Sequence, residues 1–265
     1  MKNNSPIGVF DSGVGGLSIL IELKKMLPNE NFVFLADQKY VPYGEKNKKE
    51  LVRRVYKITD YFIKHYKIKM LVVACNTATC YTIDELRKKY QFPVVGTLPA
   101  VKPAAKLSKT KQIAVISTPS TSKSEMLKKL IKDNCKNIDV LNIGCKNLEN
   151  VVEQGKLNSA KTYKLLLKYL RVVKNSDADY LVLGCTHYPF LKKYIQKILG
   201  SKIKLIDGGN AIARRTKWWL ETKRTKNKRK GRKKTVYLTT GNSAKFSKVA
   251  GVLLKSRIRG EKINI

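Results

Sequence analysis

The chain has 265 residues with 43% hydrophobic content, enough to bury the core of one large domain or two small ones. No run approaches the roughly 18 to 20 apolar residues of a membrane span, and the start, "MKNNSPIGVF", lacks a signal peptide's apolar region, so a soluble, cytoplasmic protein is expected. The charge of +36 comes from 55 Lys+Arg against 19 Asp+Glu, of which 44 are Lys and 11 Arg, and base readout leans on the arginine fork, so nucleic acid is not the expected partner.

Strand-like and helix-like runs alternate along the chain. The strands read as "IGVFD" (7–11), "FVFLAD" (32–37), "MLVVAC" (70–75), "FPVVGT" (92–97), "QIAVIS" (112–117), "IDVLNI" (138–143), "YLVLGC" (180–185), "KIKLID" (202–207) and "TVYLTT" (235–240). Most are continuously apolar, as strands buried on both faces are. Between them lie amphipathic stretches such as 49–66 and 159–176. The fold class is α/β, with mostly parallel open sheets flanked by helices. Ligands of such sheets sit at the carboxyl ends of strands.

The two halves align. Ile7 and Ile113 open similar segments 106 residues apart, Phe32 and Ile138 are again 106 apart, and Cys75 and Cys185 are 110 apart. An internal duplication is therefore expected, giving two similar, pseudo-symmetric domains with the active site in the cleft between them. Pro99 and Pro103 punctuate the crossover. The first domain is drawn as 1–97 plus a returning 208–265, the second as 98–207. The tract "TKRTKNKRKGRKK" (222–234) carries nine Lys/Arg and no acid, and is read as a solvated loop.

Five cysteines, at 75, 80, 135, 145 and 185, form an odd set without a Cys-x-x-Cys pair, so free thiols are expected. Cys80, Cys135 and Cys145 read as small core residues. Cys75 and Cys185 each end a strand, and both are placed where the strand gives way to a helix. A zinc site from Cys75, Cys185 and His187 lacks the usual spacing and a fourth ligand, so no metal is expected. A Cys185–His187 nucleophile is chemically sound but leaves Cys75 without a role. The loop "DSGVGG" (11–16), with Asp37 ending the second strand, partly matches a dinucleotide fingerprint, but Ser18 stands at the third glycine and Asp11 would repel a pyrophosphate. It is better read as a loop that binds a small ligand, with Asp11 pairing an amine. Two thiols on opposite walls suit proton removal from one face of a carbon and delivery to the other, without a cofactor.

Together "DSGVGGLS", "VPYG" (41–44), "ACNTAT" (74–79), "VVGTLPAVKPA", "VVEQG" (151–155) and "LGCTHYP" (183–189) resemble the glutamate racemase family. The resemblance implies a two-domain α/β fold and cofactor-free interconversion of L- and D-glutamate for peptidoglycan synthesis. It implies that Cys75 takes the α-proton from D-glutamate and Cys185 from L-glutamate. Asp11, Ser12, Tyr43, Gly44, Asn76, Thr77, Thr186 and His187 would hold the substrate. Asp11, Asp37, Glu153 and His187 would be auxiliary polar groups around the thiols. A homodimer is left open. The sequence departs from the family pattern at "QKY" (38–40), at Ser117 and in the basic tract.

Overall fold

The computed structural model describes residues 3–227 and 233–265. The chain divides into two compact units, Met1–Thr97 with Gly209–Ile265, and Leu98–Gly208. Among the described residues no helix is long and apolar enough to cross a membrane.

The first unit carries a six-stranded sheet. Its strands are β1 (Ile7–Asp11), β2 (Phe32–Ala36), β3 (Met70–Val73), β4 (Val94–Gly96), β9 (Thr235–Thr239) and β10 (Gly260–Lys262), in the order β10-β9-β2-β1-β3-β4. Every pairing is parallel. β1, β2 and β3 are buried at every residue, which is why their sequences are unbroken apolar runs. The helix Lys48–Tyr66 starts at a capping box, in which the Asn47 side chain accepts from the Glu50 N–H and Glu50 accepts from the Asn47 N–H. Such a cap contributes about 1 kcal/mol. This helix packs on the helix Asn76–Lys89, while Leu17–Met26 packs on Gly209–Thr222.

The second unit holds β5 (Gln112–Ser117), β6 (Asp139–Gly144), β7 (Tyr180–Leu183) and β8 (Lys204–Asp207), parallel and in the order β6-β5-β7-β8. That order repeats β2-β1-β3-β4 of the first sheet, as a duplication requires. The register refines the spacing. Ile7 pairs with Phe32 whereas Ile113 pairs with Val140, so equivalents in the second strands are 108 apart, not 106. Ile7 and Ile113 pair with Met70 and Tyr180, 110 apart. The second copy has therefore lengthened by small steps in successive connections. Cys135 packs in the core of this unit with Val101, Ile113, Leu127 and Val182, as a small apolar residue would.

β10 has no counterpart among the sequence-predicted strands. It is three residues long, and Glu261 and Lys262 are exposed, so it has no apolar run to betray it. Gly260 is required there because a Cβ would overlap the Phe246 ring. The segment after Thr222 also differs from a free loop. Lys69 forms a buried ion pair with Glu30 at 2.6 Å, donates to the Thr225 carbonyl at 2.8 Å, and Glu30 accepts from the Asn227 N–H at 2.8 Å. Lys223, Arg224 and Lys226 are exposed, and residues 228–232 of the tract lie outside the described residues.

Candidate active site

In the first unit the chain leaves β1 at Asp11, whose side chain is fully buried. The Ser12 N–H donates to Asp11 Oδ1 at 2.7 Å, and the Ser12 hydroxyl lies 3.6 Å from Cys75 Sγ. Gly16 permits this packing, since a Cβ there would stand 2.6 Å from the Asp11 Cβ and 3.2 Å from that of Ala74. Cys75 follows β3 and is the residue at which the helix Asn76–Lys89 starts, with its Sγ accepting from the Ala78 N–H at 3.4 Å. The sulfur thus faces the partial positive charge of a helix N-terminus. Asn76 and Thr77 form the first turn and are buried.

Behind this thiol lies a second set of polar groups. The Val41–Pro42 peptide is cis, and Tyr43–Glu45 form one 3₁₀ turn. Tyr43 is buried and donates to Asp37 Oδ2 at 2.5 Å; Gly44 is exposed. Asp37 also accepts two bonds from Arg54, Nε at 2.8 Å and Nη2 at 2.6 Å, and one from the Thr240 hydroxyl at 2.8 Å. Burial first, and the Asp37 carboxylate next, push the Tyr43 phenol well above its ordinary range, and the Cys75 sulfur pushes the same way.

In the second unit Cys185 follows β7 and Gly184. Gly184 is needed because a Cβ would meet the Ile116 carbonyl at 2.9 Å. Cys185 does not start an α-helix, contrary to the sequence expectation. A turn intervenes, then a 3₁₀ turn over Tyr188–Leu191 with Pro189 at its start, and only then the helix Lys192–Leu199. An imidazole takes the place of the helix N-terminus. His187 Nδ1 lies 3.5 Å from Cys185 Sγ, and His187 Nε2 lies 2.7 Å from Glu153 Oε1, at the end of the helix Leu148–Glu153. Burial alone would lower the His187 pKa; the charge of and hydrogen bond with Cys185, and then Glu153, outweigh it and hold the imidazole well above its usual value. Thr186 is buried beside them. The Tyr188 hydroxyl reaches the Cys145 carbonyl at 3.4 Å, and burial pushes the Cys145 thiol far up, consistent with an inert core thiol.

Within the first unit Asp11, Ser12, Asp37, Tyr43, Asn76 and Thr77 thus gather around Cys75 or directly behind it. Glu153, Thr186 and His187 gather around Cys185. Sequence reasoning missed Arg54 and Thr240. Arg54 left one signal, a charge on the apolar stripe formed by Leu51, Val55, Ile58 and Phe62. Thr240 left none. Among the described residues no group of three or more His, Cys, Asp or Glu is arranged to hold a metal ion.

The sequence model of the Asp/Glu/hydantoin racemase family matches residues 16–216. Glutamate racemase of Aliarcobacter butzleri is 42% identical over 224 residues, spanning 83% of this chain and 86% of that one. The crystal structure of a glutamate racemase from Bacillus anthracis superposes with a TM-score of 0.90 at 32% identity, covering 99% of this chain and 98% of that one. Glutamate racemase from Francisella tularensis, solved in complex with D-glutamate, gives a TM-score of 0.85 at 28% identity, covering 99% and 98%. With strand-end cysteines at equivalent places in two sheets of like order, the chain belongs to the glutamate racemases of the Asp/Glu/hydantoin racemase family.

Proposed function

We propose that the protein interconverts L- and D-glutamate by a two-base, cofactor-free reaction, supplying D-glutamate for peptidoglycan in the cytoplasm. The observation that carries this reading is the equivalence of the two thiols. Cys75 and Cys185 each follow the third strand of the repeated order, and each has buried polar groups beside it. The D-glutamate bound in the Francisella tularensis relative supports the choice of substrate.

In one direction the Cys75 thiolate removes the α-proton of D-glutamate, and its electron pair passes onto the substrate carboxylate as an enediolate. The Cys185 thiol then delivers a proton to the opposite face of Cα. The product is L-glutamate, and the two sulfurs have exchanged protonation states. In the other direction the roles reverse. Asp11 suits the substrate ammonium; the Ser12, Thr77 and Thr186 hydroxyls, the Asn76 amide and the main chain at Tyr43 and Gly44 suit its carboxylates. His187, held toward its imidazolium form, stabilises negative charge on Cys185, and Glu153 orients the ring. Asp37 serves indirectly, through Tyr43.

Circular dichroism of L- and D-glutamate incubated with the purified protein and no added cofactor tests the reading. Both signals should decay to zero, and L-aspartate run in parallel should change far more slowly. A folded protein that leaves glutamate optically unchanged would reject the proposal. Faster decay with aspartate would transfer it to the neighbouring substrate. The homodimer belongs to the same proposal, and sedimentation tests it.

A further inference from the structure

Asp37 is fully buried, and each of the four hydrogen bonds at its carboxylate brings a donor to its oxygens. Two of these come from the guanidinium of Arg54, in the bidentate fork that suits a carboxylate. Arg54 is itself fixed on its remaining sides. Nη1 donates to the Ile265 main-chain oxygen at 2.6 Å, and the Tyr40 ring lies 3.9 Å from its central carbon. A phenol has one proton, and Tyr43 gives its proton to Asp37. Toward Cys75 the Tyr43 oxygen can then offer only lone pairs.

We infer that Arg54 is a positioning residue of the racemase, which fixes the direction of the Tyr43 hydrogen bond and so presents an acceptor, not a donor, on the Cys75 side. The inference rests on the two-thiol reading above. Without Arg54 the Asp37 carboxylate loses the fork that makes two of its four hydrogen bonds, and the acceptor of the Tyr43 hydroxyl is no longer held in place. The Tyr43 hydroxyl is then free to turn its proton away from Asp37. An acceptor in the site becomes a donor, which repels a substrate ammonium and hydrogen-bonds the thiolate that must act as base.

Arg54 also lines a cavity of about 270 Å³ with Tyr40, Tyr43, Lys46, Glu50, Leu51, Arg53 and Lys57. That opening allows a test by chemical rescue. In Arg54→Ala, kcat/KM for glutamate should fall about 100-fold, by the order that general acid–base positioning contributes. The loss must be equal in both directions, because enantiomers have equal free energy. Added ethylguanidinium should recover at least tenfold of it, roughly, by re-forming the fork, while ethylammonium recovers little. KM should rise as well as kcat fall. Asp37→Asn/Arg54→Met removes both charges, so it leaves no buried ion without its partner; it should stay slow and gain nothing from guanidinium. Arg54→Ala within threefold of the parent, a slow variant blind to guanidinium, or a double variant with parental rates would each overturn the inference. Those outcomes leave the two-thiol reading standing, because the parent enzyme still racemises glutamate in the same assay.

Discussion

The same residue sits at the same place in two sheets, yet its surroundings differ. Cys75 faces fixed dipoles, the Ser12 hydroxyl and the Ala78 N–H at a helix N-terminus. Cys185 faces a titratable partner, the His187 imidazole backed by Glu153. The local chain explains the difference. After Cys75 the residues Asn-Thr-Ala-Thr continue directly as a helix, whereas Pro189 delays the helix after Cys185 and His187 occupies the turn. The part of a thiol's support that comes from dipoles does not change with pH. A thiol held by an imidazole loses that support when the ring deprotonates. The repeated strand order puts a thiol at the same place in each sheet, and the two different turns give each thiol its own polar surroundings.

The largest effect is expected from replacing either cysteine. Cys75→Ser and Cys185→Ser should each lower racemisation by at least about 10³-fold in both directions, since a serine hydroxyl is too weak an acid to replace a thiolate. Elimination from a β-substituted analogue needs one base only, so each variant should retain it for one enantiomer. Retention for both enantiomers by one variant would show that its missing thiol is not a base. His187→Gln should cost about 10²-fold and flatten the alkaline limb of the pH profile. Ser12→Ala, which removes a dipole beside Cys75, should cost less and leave that limb in place.

Glu153→Gln sharpens the comparison further. Glu153 is one of the groups that hold His187 high, so its removal lowers the imidazole pKa and the alkaline limb moves to lower pH. The acidic limb should not move. A profile identical to the parent's would show that the imidazolium is not used. The smallest catalytic effect is expected at the other end of the first sheet. Lys69→Met leaves the buried Glu30 without its cation, with the Asn227 N–H still bound to it, which should cost about 3–5 kcal/mol of stability, read as a lower denaturation midpoint, with kcat unchanged. Replacing the lysines of 222–234 by glutamine should leave kinetics at fixed salt unaltered. If the tract binds duplex, wild type alone will show affinity falling steeply with log salt.

Much of this site was legible because strand-end residues are marked by the end of an apolar run. Cys75 and Cys185 stand there, as do Asp11 and Asp37, one residue each past or at the end of β1 and β2. The rest depended on pairings that local sequence does not encode. Arg54 meets Asp37 across 17 positions and Thr240 meets it across 203, and among 55 cations one more arginine carries little signal. The helix expected directly after Cys185 begins only at Lys192, because the chain first makes a 3₁₀ turn over Tyr188–Leu191 with Pro189 at its start. The constant offset of 106 was an alignment of apolar runs, and only the hydrogen-bond register fixes which residues face each other.

Isotope exchange in heavy water tests the central claim, one base for each face of Cα, most directly. Starting from either enantiomer at low conversion, the far thiol, already exchanged with solvent, delivers deuterium, while the abstracting thiol returns the substrate's own proton to the original face. Deuterated product and nearly unlabelled remaining substrate are expected in both directions. Product that retains its original α-hydrogen would mean one base serving both faces, and would contradict the assignment of Cys75 and Cys185 as a pair.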